Sequence, residues 1–227
     1  MRLDEAVCLV TDPGGAIGAA VAAEVERAGA RVVGVDDLWS AAGRARLATL
    51  DGVTHAVFTG APSVALPLAE VTEADWDRAV TVGPVAAFEL LRALCPRLPA
   101  GGAVVTVVSV AGKSARNPEV TVYSAAEAAV LSLTRSFANA YAAAGVRVNA
   151  VCTGVIGTPA NDAYLREVAA GRGVGVAELT ATRLGAVPMG RTGTLAEVAS
   201  TVRFLLSADA GFVTGQSINV TGGFQQQ

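Results

Sequence analysis

The feature that most constrains this chain is a repeated alternation of short apolar runs with longer, helix-patterned segments. "AVCLVT" reads as a strand, and "AIGAAVAAEVERAGA" follows it as a helix that stops near Gly29. "RVVGVD", "THAVFTG", "GGAVVTVVSV", "VRVNAV" and "GQSINVTGG" read as further strands. Between them lie a short helix in "SAAGRARLATLDG", long helices over about 72–98 and 121–144, and a helix in "TLAEVASTVRFLLS". Thr72 with Asp75 and Thr194 with Glu197 have the capping-box spacing that starts a helix, and Gly145 is placed to end one. Successive strands separated by helices can pair only in parallel, through crossovers. The expected fold is therefore α/β, a doubly wound parallel sheet of Rossmann type in a single domain over residues 1–227.

Composition agrees with a sheet covered on both faces. Apolar residues make up 52% of the 227 positions and charged residues only 16%. The formal net charge is −3 and no basic run occurs, which disfavours nucleic acid and anionic membrane as partners. The N-terminal "MRLDEAVCLV" is too charged and its apolar run too short for a signal segment or a span, so a cytoplasmic location is expected. Cys8, Cys95 and Cys152 lack CxxC spacing and read as buried small hydrophobes. His55, the only histidine, opens a strand, and no metal site is expected.

"WDRAV", "YSAAEAAV", "VRVNAV", "GRTGTLAEVASTVRFLLS" and "VTGQSINVTGG" together resemble the short-chain dehydrogenase/reductase family over nearly the whole chain. The resemblance implies NAD(P) as cofactor and hydride transfer at a carbonyl or alcohol. It also implies a catalytic tyrosine set among a serine, a lysine and an asparagine. Ser109 and Tyr123 hold the family's serine and tyrosine positions. The lysine position, one helical turn past the tyrosine, is Glu127, and the asparagine position is Gly83, followed by Pro84.

The cofactor positions are also altered. In "TDPGGAIG", Asp12 and Ala16 stand where the family has glycines, and only Gly18 remains of the three. Asp36 ends the second strand, where an acid would accept ribose hydroxyls. Ile156 and Thr158 fall where the family touches the dinucleotide. The family's NNAG stretch appears as "FTGA", Phe58 to Ala61. The segment after Asp36 has room for one helix, so an edge strand–helix unit is expected to be missing. Lys113, the only lysine, is either a displaced cation reaching back to the cleft or a solvated loop residue.

Two unit charges about 4 Å apart interact by roughly 4 kcal/mol at an effective dielectric near 20, so an ionised Glu127 would disfavour a tyrosinate. Losses spread over both sites, with the two interface helices and last strand retained, imply a pseudoenzyme: the non-catalytic subunit of a heteromeric ketoreductase or dehydrogenase. Its partner would be a catalytically intact family subunit in a hetero-oligomer such as a heterotetramer, with NADP or NAD held in the assembly. The resemblance extends to subunits that act on carrier-bound acyl thioesters in aminocoumarin antibiotic biosynthesis. Two alternatives stay open: a lyase or isomerase that pairs Tyr123 with Glu127, and a weak stand-alone reductase. Substrate specificity would lie in residues 155–190.

Overall fold

The structure is a computed structural model that describes residues 2–59, 66–114 and 117–225. In chain order its elements are β1 (Val7–Thr11), α1 (Ala16–Arg27), β2 (Arg31–Val35), α2 (Ala41–Thr49), β3 (His55–Thr59), α3 (Glu73–Val80), α4 (Ala86–Leu94), β4 (Ala103–Ser109), α5 (Thr121–Tyr141), β5 (Arg147–Thr153), α6 (Pro159–Arg172), α7 (Val176–Gly185), α8 (Leu195–Leu206) and β6 (Ser217–Val220). The strands form one six-stranded parallel sheet in the order β2-β1-β3-β4-β5-β6. Chain order reverses between β1 and β3, which places a crevice at the carboxyl ends of these strands. β2 is an edge, and α2 alone carries the chain from β2 to β3. The expected extra edge unit is thus missing among the described residues.

Side-chain alternation along the strands divides the core in two. Leu9, Ala56, Val104 and Val148 turn toward α2, α4 and α5, where they meet Leu47, Leu90, Leu94 and Leu131. Cys8, Val10, Val57, Val105 and Val151 turn the other way, onto Val21 and Val25 of α1 and Val198, Val202 and Leu205 of α8. All three cysteines are buried. α6 and α7 form a smaller hairpin around Leu165, Ala169 and Leu179, within the stretch assigned to specificity.

Both capping boxes form, Thr72 with Asp75 and Thr194 with Glu197. The helix expected over 72–98 forms as one helical run, Glu73–Arg97, whose pitch changes along its length. A π-helical turn, Thr81–Val85, separates α3 from α4, with Pro84 inside it, and Cys95–Arg97 ends the run as a 3₁₀ turn. Proline has no N–H to donate, and its ring clashes with the carbonyl a turn before. The wider turn absorbs both effects. By length and composition alone Glu73–Arg97 is apolar enough to cross a membrane. Leu90, Leu91 and Leu94, however, are buried in the core, as in a helix that covers a sheet. α5 continues through a 3₁₀ turn to Gly145, whose φ of 78° is the left-handed conformation that ends a helix.

Candidate functional site

The carboxyl ends of the parallel strands bring together most of the residues singled out from the sequence. Ser109 is the last residue of β4, and its hydroxyl accepts the Ala111 N–H at 3.1 Å. Tyr123 and Glu127 lie one turn apart on α5. Glu127 is 2% exposed, and its Oε2 accepts the backbone N–H of Ser109. Gly112 packs so closely on the α5 backbone at Glu127 and Ala128 that a side chain there would be excluded, which fixes the loop after β4 against the helix. The Ser109 hydroxyl also lies near enough to the Tyr123 side chain to favour its ionised form.

Burial governs the charge state of this cluster. It pushes the Glu127 carboxyl up to about 8, only partly opposed by the Ser109 N–H. Tyr123 is pushed well above the ordinary phenol value, first by burial and then by Glu127, with the Ser109 hydroxyl opposing. The charge repulsion expected from the sequence is therefore the smaller effect. At neutral pH Glu127 is mostly a neutral acid, and Tyr123 is a neutral phenol that cannot serve as a base. Both side chains line a cavity of about 470 Å³ between α3 and α5, with Trp39, Val71, Val82 and Val122.

Gly83, at the asparagine position, is buried in the π turn and faces Ala126 of α5. A Cβ there would lie 3.6 Å from the Ala126 Cβ, so space does not exclude a side chain. Lys113 takes neither expected role. Its Nζ donates to the Ser217 carbonyl at 2.8 Å and to Asn219 Oδ1 at 2.7 Å, binding the loop after β4 to β6. His55 also has a structural setting: Nδ1 is 2.8 Å from the Thr54 hydroxyl, and burial pulls the ring down to about 4, so it is neutral at pH 7.

Around the crevice, Gly18 is buried against the Asp12 carbonyl in a contact that leaves no room for a Cβ. Asp12 itself adopts a left-handed φ of 48°, a conformation that glycine takes without the steric cost of a Cβ. Asp36 is exposed just beyond β2. Ile156 turns its side chain into the core, with its backbone bridged to Gly193, and the Thr158 hydroxyl caps α6 by accepting the Asn161 N–H at 3.0 Å. Of the "FTGA" stretch, Gly60 and Ala61 lie outside the described residues. Thr59 stitches β3 to β1: its N–H donates to the Thr11 hydroxyl at 2.8 Å and its own hydroxyl donates to the Thr11 carbonyl at 2.7 Å. The Glu127–Ser109 bond, the π turn and the threonine stitch were all missed in the sequence. Only Pro84 within a helical pattern gave a signal for any of them.

Residues 35–225 match the family model described as enoyl-(acyl carrier protein) reductase. The chain is 30% identical to the human (3R)-3-hydroxyacyl-CoA dehydrogenase over 264 residues, which cover 98% of this chain and 96% of that protein. It is 32% identical to 2-(S)-hydroxypropyl-CoM dehydrogenase 3 of Xanthobacter autotrophicus over 254 residues, covering 98% of this chain and 97% of the other. Both alignments are longer than this chain, so those relatives carry segments with no counterpart here. Among solved structures, a blue fluorescent protein from a metagenomic library in complex with NADPH superposes with a TM-score of 0.87. It has 25% identity and matches the whole of both chains.

Proposed function

The chain belongs to the short-chain dehydrogenase/reductase family, and from that premise we propose that it is the non-catalytic subunit of a hetero-oligomeric, NAD(P)-dependent oxidoreductase. One observation carries the reading. Where the family places a cation beside its tyrosine, this chain buries a carboxyl group, bound to the Ser109 N–H and pushed up to about 8. A neutral acid cannot lower the tyrosine's pKa as an ammonium would, and Gly83 brings no amide to the same cleft.

The outer surface supports the partner. α5 exposes Ala125, Ala128, Ser132, Ser136 and Ala140 on the side away from its own sheet, which permits close approach of another helix. Val85 and Phe88 on the neighbouring run are each 39% exposed, and Phe88 packs edge-on to Phe137, which stacks on Tyr141. The small residues on the inner side of α5, Ser124, Ala126 and Ala138, pack onto the chain's own core. The partner in this reading is an intact family member, which supplies the cofactor site and the proton transfer.

The substrate class we propose is a hydroxyacyl or ketoacyl thioester, after the hydroxyacyl-CoA relatives. A carrier-bound substrate, an antibiotic-pathway setting and a cytoplasmic location belong to the same proposal and rest on resemblance and composition. The test is to co-express the chain with catalytically intact short-chain dehydrogenase/reductases of the same organism and measure mass and turnover of the purified complex. A defined hetero-oligomer whose activity drops when this chain is omitted is expected. Two proteins that never associate would overturn the reading.

A second reading is favoured by one observation: Tyr123 and Glu127 open together onto the 470 Å³ cavity. A buried acid with a value of about 8 is suited to donate a proton in a lyase or isomerase step. Retention of any such activity by Glu127→Ala would exclude the pairing.

A further inference from the structure

In a doubly wound sheet the crevice between β1 and β3 and the N-terminus of α1 form the place where a dinucleotide's pyrophosphate is bound, by free N–H groups and the positive end of the helix dipole. Here that place is already filled by the chain itself. The Asp12 N–H donates to the Val35 carbonyl at 3.1 Å, which ties the turn to the end of β2. From there the left-handed backbone of Asp12 directs its carboxylate over Gly15, the residue that caps α1, so closely that a Cβ at Gly15 would be excluded. The Gly15 N–H itself donates to the Asp12 backbone carbonyl at 3.0 Å, which closes the turn under this carboxylate. The first turn of α1 contains no acidic residue of its own, so Asp12 supplies the anion that the helix end attracts.

The neighbouring residue covers the β2 side of the same turn. The Pro13 ring lies against β2 at Gly34, with Cγ only 2.8 Å from where a Cβ would be. Proline and aspartate thus cover the ends of β1 and β2 with chain. Burial first, and then the negative charge of nearby Asp36, push the Asp12 carboxyl upward from its ordinary value. A pyrophosphate entering here would have to displace one carboxylate and lie close to another. The residues present do not fit a dinucleotide.

We infer that Asp12 and Pro13 form an internal plug that takes the place of the cofactor's pyrophosphate, so that this subunit folds and assembles without NAD(P). The inference deepens the proposed function and rests on that reading, in which the partner alone carries cofactor. Gly15 and Gly18 each leave room for an atom of Asp12, the carboxylate over Gly15 and the backbone carbonyl against Gly18.

The test is calorimetric titration of the purified chain with NADH and with NADPH, using wild type, Asp12→Gly and Asp12→Asn, with thermal unfolding run on each. Wild type should bind neither cofactor at millimolar concentration. Asp12→Gly, which tolerates the left-handed turn and removes the carboxylate, should bind at least about ten-fold more tightly. Asp12→Asn keeps the volume and removes the charge, and should show a smaller gain that is still measurable. If Asp12→Gly does not fold, Asp12→Asn decides. Micromolar binding by wild type, or no gain in a folded variant, would overturn the plug. Wild type that binds cofactor yet has no turnover would sink the plug and leave the subunit reading intact. Turnover by wild type alone would sink both, since hydride transfer needs bound cofactor, whereas no cofactor binding by wild type together with no association with an intact family subunit would sink the subunit reading alone.

Discussion

At the scale of single residues, Glu127 decides what the site can do. The i, i+4 spacing from Tyr123 made its position legible in the sequence, but its charge state was not. Ionisation depends on desolvation by residues distant in the chain, and spacing says nothing of these. The sequence argument took charge repulsion as the main effect, whereas burial dominates. This gives a stability prediction with a definite sign. The folded state holds the proton up to about 8, the unfolded state only to the ordinary value of 4.5. The folded form therefore binds more protons between these limits, and its stability falls as pH rises through this window, by up to roughly 5 kcal/mol. Urea denaturation of wild type and Glu127→Gln at pH 5, 7 and 9 should show this loss in wild type. It should be absent in the variant, which keeps an acceptor for the Ser109 N–H. Equal pH dependence in both proteins would refute a buried neutral Glu127.

At the scale of elements, helix ends show how far local sequence reaches. Both capping boxes were readable, because their chemistry is contained in four consecutive residues. Thr194→Ala should lower stability by about 1 kcal/mol in chemical denaturation. The Glu197 carboxyl in this box is held down to about 2, chiefly by Arg191 and then by Thr194. Its contribution is thus present above the ordinary 4.5 and is lost as pH falls toward 2. The opposite end of α8 was not readable, since its cap comes from another strand. Arg147 at the start of β5 is 8% exposed and donates to the carbonyls of Leu205 at 2.6 Å, Leu206 at 3.0 Å and Ser207 at 3.1 Å. Arg147→Met should cost about 2–4 kcal/mol by taking the guanidinium from the Leu205 and Leu206 carbonyls, while Ser207 keeps the Ala210 N–H at 3.2 Å. A loss below 1 kcal/mol would mean that water replaces the guanidinium. The π turn falls between these cases: Pro84 announces a break, but the sequence does not say whether the helix kinks, stops or widens.

At the scale of the whole molecule, the sheet and its order followed from the alternation of elements, and the short link after Asp36 announced the truncated edge. The crevice was harder to read. Asp12 could be recognised as foreign to a phosphate turn, but that it fills the turn with its own carboxylate depends on the fold of β1, β2 and α1 together. The molecule joins a covered crevice, a buried neutral acid beside an unactivated phenol, and an exposed helical face of small and aromatic residues. The measurement that tests the central claim most directly is steady-state turnover of the purified chain alone. It would use NADH or NADPH with 3-hydroxyacyl and 3-ketoacyl thioesters, from pH 6 to pH 10. The account predicts no hydride transfer above the protein-free rate at any pH, for wild type and for Glu127→Lys alike. Sustained turnover by wild type, or its appearance in Glu127→Lys, would contradict it.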